Sequence, residues 1–520
     1  MKHPLKLHAI VCVLILLGSL PCWAQGKAEH VVLMVWDGMR PDFVLPQHTP
    51  HLCALATSGV FFKNHHSVFV TSTEVNGTAL ATGDYPEKSG IMANSDYRPE
   101  IGWLSAFGTE DLDAIRRVDL LTSDKFILVP TVAEIIQHSG HHTVVAGTKP
   151  VALLHDRSAK KSTDAEKNSV TLFKGMTIPR VIQSELPKVN DNKAFPAVTY
   201  PNSGQDGWTT TSVTHFLWRK GVPKYTLLWL SDPDYSQHND APGSDSVRSA
   251  LESCDKQLGE VLKALDEKKV RDKTDVIVVS DHGFSTVDRS VDVLDLLKKA
   301  KFSAFRRFEN PEPGDVLVVS LGGTVSLYVV GNDQTVVKRL VEFFQLSDFA
   351  AVIFTREPME GTFPLSQVRI GGKERGPDVL VAMKWTLERN AYGAPGQYTS
   401  DGGGKGKGGH ASFCPTDVHN TLVASGPDFK VGFMDEAPSG NVDVPPTILH
   451  ILGLEPPVPM DGRVLQEAFA GAGTDTPAPE VKTIEATREV GLFRWKQYLR
   501  YTKVGPSIYY DEANGGAQLR

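Results

Sequence analysis

Four short apolar runs most constrain what this chain can fold into. Each has four to six residues and is rich in Val, Ile, Leu or Thr: Val31 to Val35, Thr143 to Ala146, Tyr225 to Leu230 and Val276 to Val279. Because they are apolar on both faces, they are typical of parallel strands covered by helices. Helical patterns lie between them, the longest from Ser246 to Asp266. This alternation predicts an α/β fold, a doubly wound and mostly parallel central sheet flanked by helices.

Two stretches interrupt the alternation. Residues from about 155 to 215 are polar and irregular, and we expect an insertion near the functional site there. Residues from about 300 to 400 contain further strand-like runs, which predict a smaller α+β insertion or cap. Gly471 to Pro479 is typical of a linker. We therefore predict one catalytic domain over residues 25–470, followed by a linker and tail (471–520) whose aromatic run, Phe493 to Tyr510, packs back on the core as strand-like structure.

The first 24 residues have the pattern of a cleavable signal peptide. Lys2 and Lys6 precede a short apolar stretch, and the small residue Ala24 suits cleavage before Gln25. A lipid anchor on Cys22 is the alternative, which the preceding proline disfavours. No later stretch is long and apolar enough to span a membrane. The pattern predicts a periplasmic or secreted protein.

Charge and cysteine content exclude two functional classes. The formal net charge is −7, so the chain has no basic footprint for nucleic acid. After the signal segment only Cys53, Cys254 and Cys414 remain. An odd count without paired spacing argues against a disulfide scaffold, and a single bridge between two of them stays open. Cys254 lies on the apolar side of the long helical pattern, which predicts core packing.

Aspartates and histidines cluster just after the apolar runs. The carboxyl ends of parallel strands meet at one edge of a sheet, so side chains there can converge. Carboxylates and imidazoles are ligands of divalent metal ions. Each short motif alone also fits a helix cap or a turn, but their joint occurrence favours a metal site. The residues are Asp37, Asp234, His238, Asp281, His282 and His410.

Longer motifs surround these residues. They are Val31 to Pro41, Thr73 with Asn76, Ala81 to Ile91, Pro233-Asp234 with His238, Ser280 to Gly283, Gly409-His410, Ala424 to Pro427 and Val444 to His450. With these motifs the chain resembles the alkaline phosphatase superfamily, and within it the type I phosphodiesterase/nucleotide pyrophosphatase family. The resemblance extends over most of the chain after the signal segment.

The resemblance implies a two-zinc site and a threonine nucleophile. One zinc would be held by Asp234, His238 and His410, and the other by Asp37, Thr73, Asp281 and His282. Thr73 would attack phosphorus to form a covalent phospho-threonine, and Asn76 would donate to a phosphoryl oxygen. The implied activity is hydrolysis of phosphate diesters or nucleotide pyrophosphate bonds in a small phosphorylated substrate, a nucleotide or a lipid diester. Asp and His ligands also accept other divalent ions.

Several residues near the predicted nucleophile have alternative interpretations. Hydroxyls before a helix often act as caps, and Asn76-Gly77-Thr78 is also a glycosylation sequon. Glu74 departs from the Phe-Pro-Asn-His that follows the nucleophile in animal pyrophosphatases, and we expect it to affect the leaving-group pocket. The Cys/Ser-x-Pro-x-Arg motif of sulfatases is missing, which excludes that branch.

Lys149 and Arg157 raise the question of substrate class. Related phosphonoacetate hydrolases and threonine-type phosphomonoesterases carry lysine or arginine in comparable stretches. A cation there would bind a terminal dianion or a carboxylate, whereas the alternative is that both are solvated surface charges. Two other functions therefore stay open: a phosphomonoesterase or phosphonate hydrolase, and a metal-binding family member without turnover.

Overall fold

The computed structural model describes residues 26–156, 163–371, 375–473 and 478–520, with the side chain of Glu100 left aside. The predicted signal peptide (1–24) and Arg157 lie outside the described residues.

A nine-stranded sheet forms the centre of the described part of the chain. Its strands are β1 His30–Trp36, β2 Val60–Phe62, β3 Thr143–Gly147, β4 Val170–Phe173, β5 Met176–Ile178, β6 Tyr225–Leu230, β7 Thr274–Val279, β8 Leu422–Ser425 and β9 Phe433–Asp435. Their spatial order is β9-β2-β8-β7-β1-β6-β3-β4-β5. The four predicted apolar runs form β1, β3, β6 and β7.

The sheet is mostly parallel, as predicted. Neighbours in the series β7, β1, β6, β3 and β4 run parallel to one another, whereas β8 and β5 run antiparallel to their neighbours. Alternate residues of β1 enter two separate cores: Leu33 and Val35 pack on one face, and Val32 and Met34 on the other. Because each face is covered, the strands are apolar throughout.

Helices cover both faces of the sheet. The long predicted helix is Asp245–Glu267, and Cys254 is buried on its inner face, as expected. Thr131 caps the helix Val132–His138 through a capping box with Glu134. The other α-helices are Pro50–Thr57, Thr73–Thr82, Pro86–Ser89, Leu112–Thr122, Asp164–Asn168, Leu186–Val189, Ser203–Thr211, Asp234–Asn239, Val293–Lys299, Gln334–Gln345, Pro415–Val418 and Val444–Ile451.

Part of the stretch predicted as an irregular insertion (155–215) belongs to the central sheet instead. Val170–Phe173 pairs with β3 in parallel and is buried along its whole length. The polar residues around this four-residue run hide its apolar character, which is why the sequence pattern did not identify it.

A smaller α+β part stands beside the central sheet, in agreement with the predicted cap. Its six-stranded sheet packs against the helices Val293–Lys299 and Gln334–Gln345. A second sheet, of four strands, contains the segments through which the chain leaves the central region and returns to it. The strands of the first sheet, in spatial order, are Ala304–Phe305, Val316–Ser320, Thr324–Val329, Val379–Met383, Ala350–Thr355 and Phe363–Pro364. Those of the second are Trp385–Arg389, Pro395–Asp401, Ser285–Val291 and Gly408–Gly409. The domain limits given above stay predictions.

The C-terminal residues form a three-stranded antiparallel sheet of Glu480–Val490, Phe493–Val504 and Ser507–Leu519. It packs on the six-stranded sheet through Trp495, which is fully buried and donates to Gly361 O at 3.0 Å. We call it the C-terminal sheet. Among the described residues, no helix is long and apolar enough to cross a membrane, and Cys53, Cys254 and Cys414 are free thiols.

Candidate active site

Three aspartates follow three adjacent strands of the central sheet. Asp37 comes directly after β1 and Asp281 follows β7 by two residues. Asp234 begins the helix Asp234–Asn239, shortly after β6. Because β7, β1 and β6 are parallel neighbours, their carboxyl ends bring the three carboxylates to one edge of the sheet.

The histidines reach the same place by different routes. His282 follows Asp281 directly, and His238 lies one helical turn after Asp234. Gly408–Gly409 pairs antiparallel with Ser285–Thr286, which brings His410 over His282 with ring centroids 3.9 Å apart. We call Asp37, Asp234, His238, Asp281, His282 and His410 the strand-end cluster.

Distances divide the strand-end cluster into two groups. Around Asp234 Oδ1, His238 Nε2 lies at 3.3 Å and His410 Nε2 at 3.7 Å. Around His282 Nε2, Asp281 Oδ2 lies at 3.3 Å and Asp37 Oδ1 at 3.7 Å. These separations suit ligands that share an ion. Ligand atoms of Asp234, His282 and His410 lie within 4.8 Å of one another, and so do those of Asp37, Asp281 and His282, so that His282 belongs to both groups. The division into the two ligand sets implied by the family resemblance stays a prediction.

The hydrogen bonds of the strand-end cluster fit divalent ions. One oxygen of each carboxylate (Asp37 Oδ1, Asp234 Oδ1 and Asp281 Oδ2) is buried without a hydrogen-bond partner in the described part of the chain. Each histidine directs Nδ1 at a backbone carbonyl: His282 at Gly283 O (2.9 Å), His410 at Thr71 O (2.9 Å) and His238 at Gly408 O (3.3 Å). This fixes the tautomer and turns Nε2 toward the carboxylates, as in metal-binding histidines.

Burial and charge also favour cations here. Burial raises the pKa of Asp37 well above its usual range and that of Asp281 to about 7. Burial lowers the pKa of His410 well below its usual value, with help from the neighbouring His282. Burial also lowers the pKa of His282. Burial would lower the pKa of His238 too, but the charge of Asp234 outweighs it and raises that pKa. His282 and His410 are therefore neutral, and a bound divalent ion would relieve the repulsion between the buried carboxylates.

Lys149 lies inside the site, not on the surface. Its Nζ is 2.9 Å from Asp37 Oδ2 and 3.0 Å from Asp234 Oδ2, and the residue is only 7% exposed. The interpretation of Lys149 as a solvated surface charge is therefore wrong. Burial alone would raise the pKa of Asp234, but the charge of Lys149 outweighs it and holds that pKa well below its usual range.

Thr73 begins the helix Thr73–Thr82, of which every residue is buried. Its Oγ1 lies 3.2 Å from His282 Nε2 and 3.4 Å from Lys149 Nζ. Ser72, at the N-cap, makes no side-chain capping bond. The hydroxyl of Thr73 is therefore directed into the strand-end cluster and not into a cap.

Asn76 faces away from the cluster, which contradicts its predicted contact with a phosphoryl oxygen. Its Nδ2 donates to Val68 O (3.0 Å) and Ser72 O (3.1 Å), and its Oδ1 accepts from Val68 N (2.6 Å) and Asn441 Nδ2 (2.9 Å). The side chain is completely buried and fastens the segment before Thr73. It has no free N–H for a substrate, and its burial also excludes the sequon interpretation for the folded chain.

Asn94 is a candidate that the sequence interpretation missed. Its Oδ1 accepts from the backbone N–H of Glu74 at 3.2 Å, which places it beside the first turn of the Thr73 helix. The residue is half-buried, and its Nδ2 donates to no residue that the structure describes. Its position shortly after the matched segment Ala81 to Ile91 is the signal that could have identified it.

Glu74 forms an acidic pair with Glu110 next to the nucleophile. Glu74 is buried, and burial followed by the charge of Glu110 raises its pKa well above the usual range. One oxygen of each carboxyl is buried without a hydrogen-bond partner among the described residues. The ring of Tyr235 lies nearby, 5.2 Å from Lys149 Nζ. The surroundings of Thr73 Oγ1 thus contain one buried cation and two adjacent acids.

Comparison with known proteins identifies the family of this chain. Residues 31–361 match the family model of type I phosphodiesterase / nucleotide pyrophosphatase. The bis(5'-adenosyl)-triphosphatase of Mus musculus is 22% identical over 441 residues, which cover 83% of this chain and 79% of that protein. Ectonucleotide pyrophosphatase/phosphodiesterase family member 7 of Homo sapiens is 24% identical over 288 residues, covering 55% of this chain and 54% of that protein.

The fold has a solved counterpart as well. The structure of murine ectonucleotide pyrophosphatase / phosphodiesterase 5, an inactive form in complex with AMP, superposes with a TM-score of 0.60 at 18% identity, covering 85% of this chain and all of that one. The family match covers more than half of the 520 residues. The chain therefore belongs to the type I phosphodiesterase/nucleotide pyrophosphatase family of the alkaline phosphatase superfamily, and it is a phosphoric ester hydrolase.

Proposed function

We propose that this chain hydrolyses phosphate diesters or nucleotide pyrophosphate bonds at a two-zinc site, through a covalent phospho-threonine on Thr73. The observation that carries the proposal is the position of Thr73 Oγ1, 3.2 Å from His282 Nε2 and beside three carboxylate oxygens without hydrogen-bond partners in the described residues. A hydroxyl in such a place is suited to attack an electrophile that the same site holds.

The strand-end cluster fits two divalent ions. Asp234, His238 and His410 would hold one, and Asp37, Asp281 and His282, with Thr73 Oγ1, the other. When bound, such ions supply positive charge to the phosphoryl oxygens and favour the ionised hydroxyl. Zinc suits these nitrogen and oxygen donors.

Thr73 acts as the nucleophile in this scheme. Its Oγ1 attacks phosphorus, the bond from phosphorus to the leaving oxygen breaks in line, and the Thr73 hydroxyl proton is lost. Water then attacks the phospho-threonine, releases the product and restores the hydroxyl. The dipole at the N-terminal end of the buried helix favours the negative phosphoryl group beside Thr73.

Asn94 is our candidate for the phosphoryl-oxygen donor, in place of Asn76. Its Oδ1 is held by Glu74 N at 3.2 Å, which fixes the amide plane and leaves Nδ2 to donate. A pre-oriented amide donor of this kind stabilises charge that develops on phosphoryl oxygens.

The acidic pair favours diesters over monoesters. A monoester dianion carries one more negative charge than a diester. Because burial and the charge of Glu110 raise the pKa of Glu74, the negative charge of the acidic pair is that of Glu110, which would repel the dianion. Lys149 could bind a terminal oxygen, which supports the second candidate, a phosphomonoesterase or phosphonate hydrolase. However, Asp37 and Asp234 already neutralise its charge at 2.9 and 3.0 Å.

A nucleotide is the substrate we favour, because a triphosphatase of bis-adenosyl nucleotides and an AMP-bound structure are among the similar proteins; a lipid diester is the alternative. The presence of Thr73 and all six members of the strand-end cluster argues against a family member without turnover. We also propose that the chain is exported to the periplasm or secreted, with cleavage after Ala24, because of the signal pattern in residues 1–24.

Hydrolysis of bis-p-nitrophenyl phosphate and p-nitrophenyl phosphate tests the proposal. The zinc-loaded protein is expected to prefer the diester, and a chelator is expected to abolish turnover until zinc is restored. A preference for the monoester would favour the second candidate. Failure of the folded, zinc-loaded protein to hydrolyse either substrate or a dinucleoside polyphosphate would favour a non-catalytic role.

A further inference from the structure

A second convergence of histidine and aspartate lies where the C-terminal sheet meets the core. His66 and His419 face each other across an isolated antiparallel bridge, and Asp511 belongs to the strand Ser507–Leu519. Side chains directly opposite in such a bridge point to the same side. One ligand atom from each of the three residues lies within 4.8 Å of the others. We call these three residues the tail cluster.

The outer hydrogen bonds of the tail cluster leave its ligand atoms turned inward. His66 Nδ1 donates to Ser439 O at 2.9 Å, and the ring of His419 is hydrogen-bonded to the backbone of His65. Asp511 Oδ2 accepts from Thr502 Oγ1 at 2.9 Å, so its Oδ1 faces His66 Nε2 at 3.1 Å. Metal-binding histidines and carboxylates show this same pattern of partners, which fixes the tautomer and the ring orientation.

Geometry and access agree with a cation between these side chains. With its hydrogen on Nδ1, donated to Ser439 O, the ring of His66 presents the lone pair of Nε2 to Asp511 Oδ1, 3.1 Å away. The Asp511 side chain is 17% exposed, whereas that of His66 is 1% exposed. An ion could therefore enter from the Asp511 side.

An ordinary His–Asp pair elsewhere in the chain looks different. His51 Nδ1 lies 2.8 Å from Asp255 Oδ2, but the carboxylate also accepts the backbone N–H groups of His51 and Leu52. No further His, Cys, Asp or Glu of the described residues joins this pair within ligand distance. His51 and Asp255 thus form a capping contact, and they serve as a natural control for the tail cluster.

We propose that His66, His419 and Asp511 bind one zinc ion, with water in the fourth position, as a structural site that fastens the C-terminal sheet to the core. Two imidazoles and one carboxylate are a donor set that zinc accepts, in tetrahedral geometry. This site is separate from the strand-end cluster and does not depend on the proposed reaction.

The tail cluster is also connected to the strand-end cluster through two hydrogen bonds. His65, next to His66, contacts Asn441 Oδ1 through Nε2 at 2.9 Å. Asn441 Nδ2 donates to the backbone carbonyl of Asp281 at 2.6 Å. An ion that orders His66 would therefore also stiffen the support behind Asp281, a member of the strand-end cluster.

Zinc counting on the full-length protein tests this site. The wild type, loaded with zinc and freed of excess by a weak chelator, is expected to retain about three ions per chain by elemental analysis, and Asp511→Asn and His419→Gln about two. Asp511→Asn keeps the size of the side chain and a hydrogen-bonding group beside His66 while it removes the charge. The control His51→Gln is expected to retain the wild-type number.

A milder variant keeps the test valid if Asp511→Asn or His419→Gln fails to fold. Thr502→Val removes only the donor to Asp511 Oδ2, and it is expected to weaken binding of the last zinc ion by about tenfold in a titration. Equal zinc content in the wild type, Asp511→Asn and His419→Gln, with unchanged titration of Thr502→Val, would overturn the proposal. The experiment measures a difference of one zinc ion between the wild type and the variants. It therefore tests the tail cluster even if the strand-end cluster holds fewer ions than proposed.

Discussion

In the strand-end cluster, three aspartates follow neighbouring parallel strands, whereas in the tail cluster the side chains come from an isolated bridge and a late strand. The first arrangement follows from topology, since β7, β1 and β6 must end at the same edge. The second exists only once the C-terminal sheet has packed on the core. The difference teaches that the same residue types can form a site by sheet topology or by docking, and only the former is readily visible in sequence.

Replacement of the nucleophile separates chemistry from metal binding in the strand-end cluster. Thr73→Ala is expected to lower kcat by at least about a thousandfold, because loss of a covalent nucleophile removes the main reaction route. Zinc content should stay within one ion of the wild type. The matched control is Ser72→Ala, whose hydroxyl has no hydrogen-bond partner in the described residues. Retained activity in Thr73→Ala, or an equal loss in Ser72→Ala, would refute the assignment of the nucleophile.

Single ligand substitutions compare the two clusters directly. Asp37→Asn is expected to lower kcat/KM by at least about a hundredfold, because it changes a carboxylate next to the reacting hydroxyl. Asp511→Asn is expected to keep activity within about fivefold of the wild type, because its cluster only supports Asp281 from behind. Steady-state kinetics with a phosphodiester and zinc analysis measure both effects. Equal losses of activity in the two variants would contradict the view that only the strand-end cluster takes part in catalysis.

Removal of Lys149 tests whether this residue stabilises the buried carboxylates of the strand-end cluster when no metal is bound. In chelator, Lys149→Met is expected to lower the free energy of unfolding by about 3 kcal/mol, because Asp37 and Asp234 lose their buried partner. With zinc bound, the expected loss is smaller, since the ions neutralise the same carboxylates. Urea unfolding in both conditions measures this difference. A loss of the same size with and without zinc would contradict the idea that Lys149 and the ions neutralise the same carboxylates.

Glu110→Gln has the smallest expected effect and tests selectivity beside the strand-end cluster. The charge of Glu110 helps to raise the pKa of buried Glu74, so the negative charge of the acidic pair is that of Glu110. The substitution removes this charge while it keeps the size of the side chain, so it should increase the ratio of monoester to diester kcat/KM by about fivefold. Parallel assays with the two p-nitrophenyl esters measure the ratio, and Glu87→Gln, which changes an acid away from the site, is the control. An unchanged ratio in Glu110→Gln would show that the acidic pair does not select against dianions.

The regular parts of the fold and most of the strand-end cluster could be predicted from sequence. The four apolar runs became β1, β3, β6 and β7 because they are long enough and apolar on both faces. Asp37, Asp234 and Asp281 could be predicted because a carboxylate just after such a run lies at the sheet edge. By contrast, the short strand β4 was not predicted, because polar residues surround its four-residue run.

Individual side-chain directions could not be predicted in the same way. Asn76 and Asn94 are both plausible amide donors by sequence. Only the hydrogen bonds of the folded chain show that Asn76 Nδ2 already donates to the carbonyls of Val68 and Ser72. By sequence, Lys149 fits both a substrate-binding cation and a solvated surface charge, and only its contacts with Asp37 and Asp234, from distant parts of the chain, show that it is buried in the site. The tail cluster joins residues 66, 419 and 511, a combination with no local signature.

The complete burial of the helix Thr73–Thr82 has a consequence for how this enzyme can diversify. Gly77 has no room for a side chain: a Cβ there would come within 2.5 Å of Val151 Cγ2, in the segment just after Lys149. A larger residue at this position would push on the segment of the lysine and on the helix of the nucleophile together. New substrate preferences are therefore expected to arise at partly exposed residues near the site, such as Glu110, and not within the helix that carries Thr73.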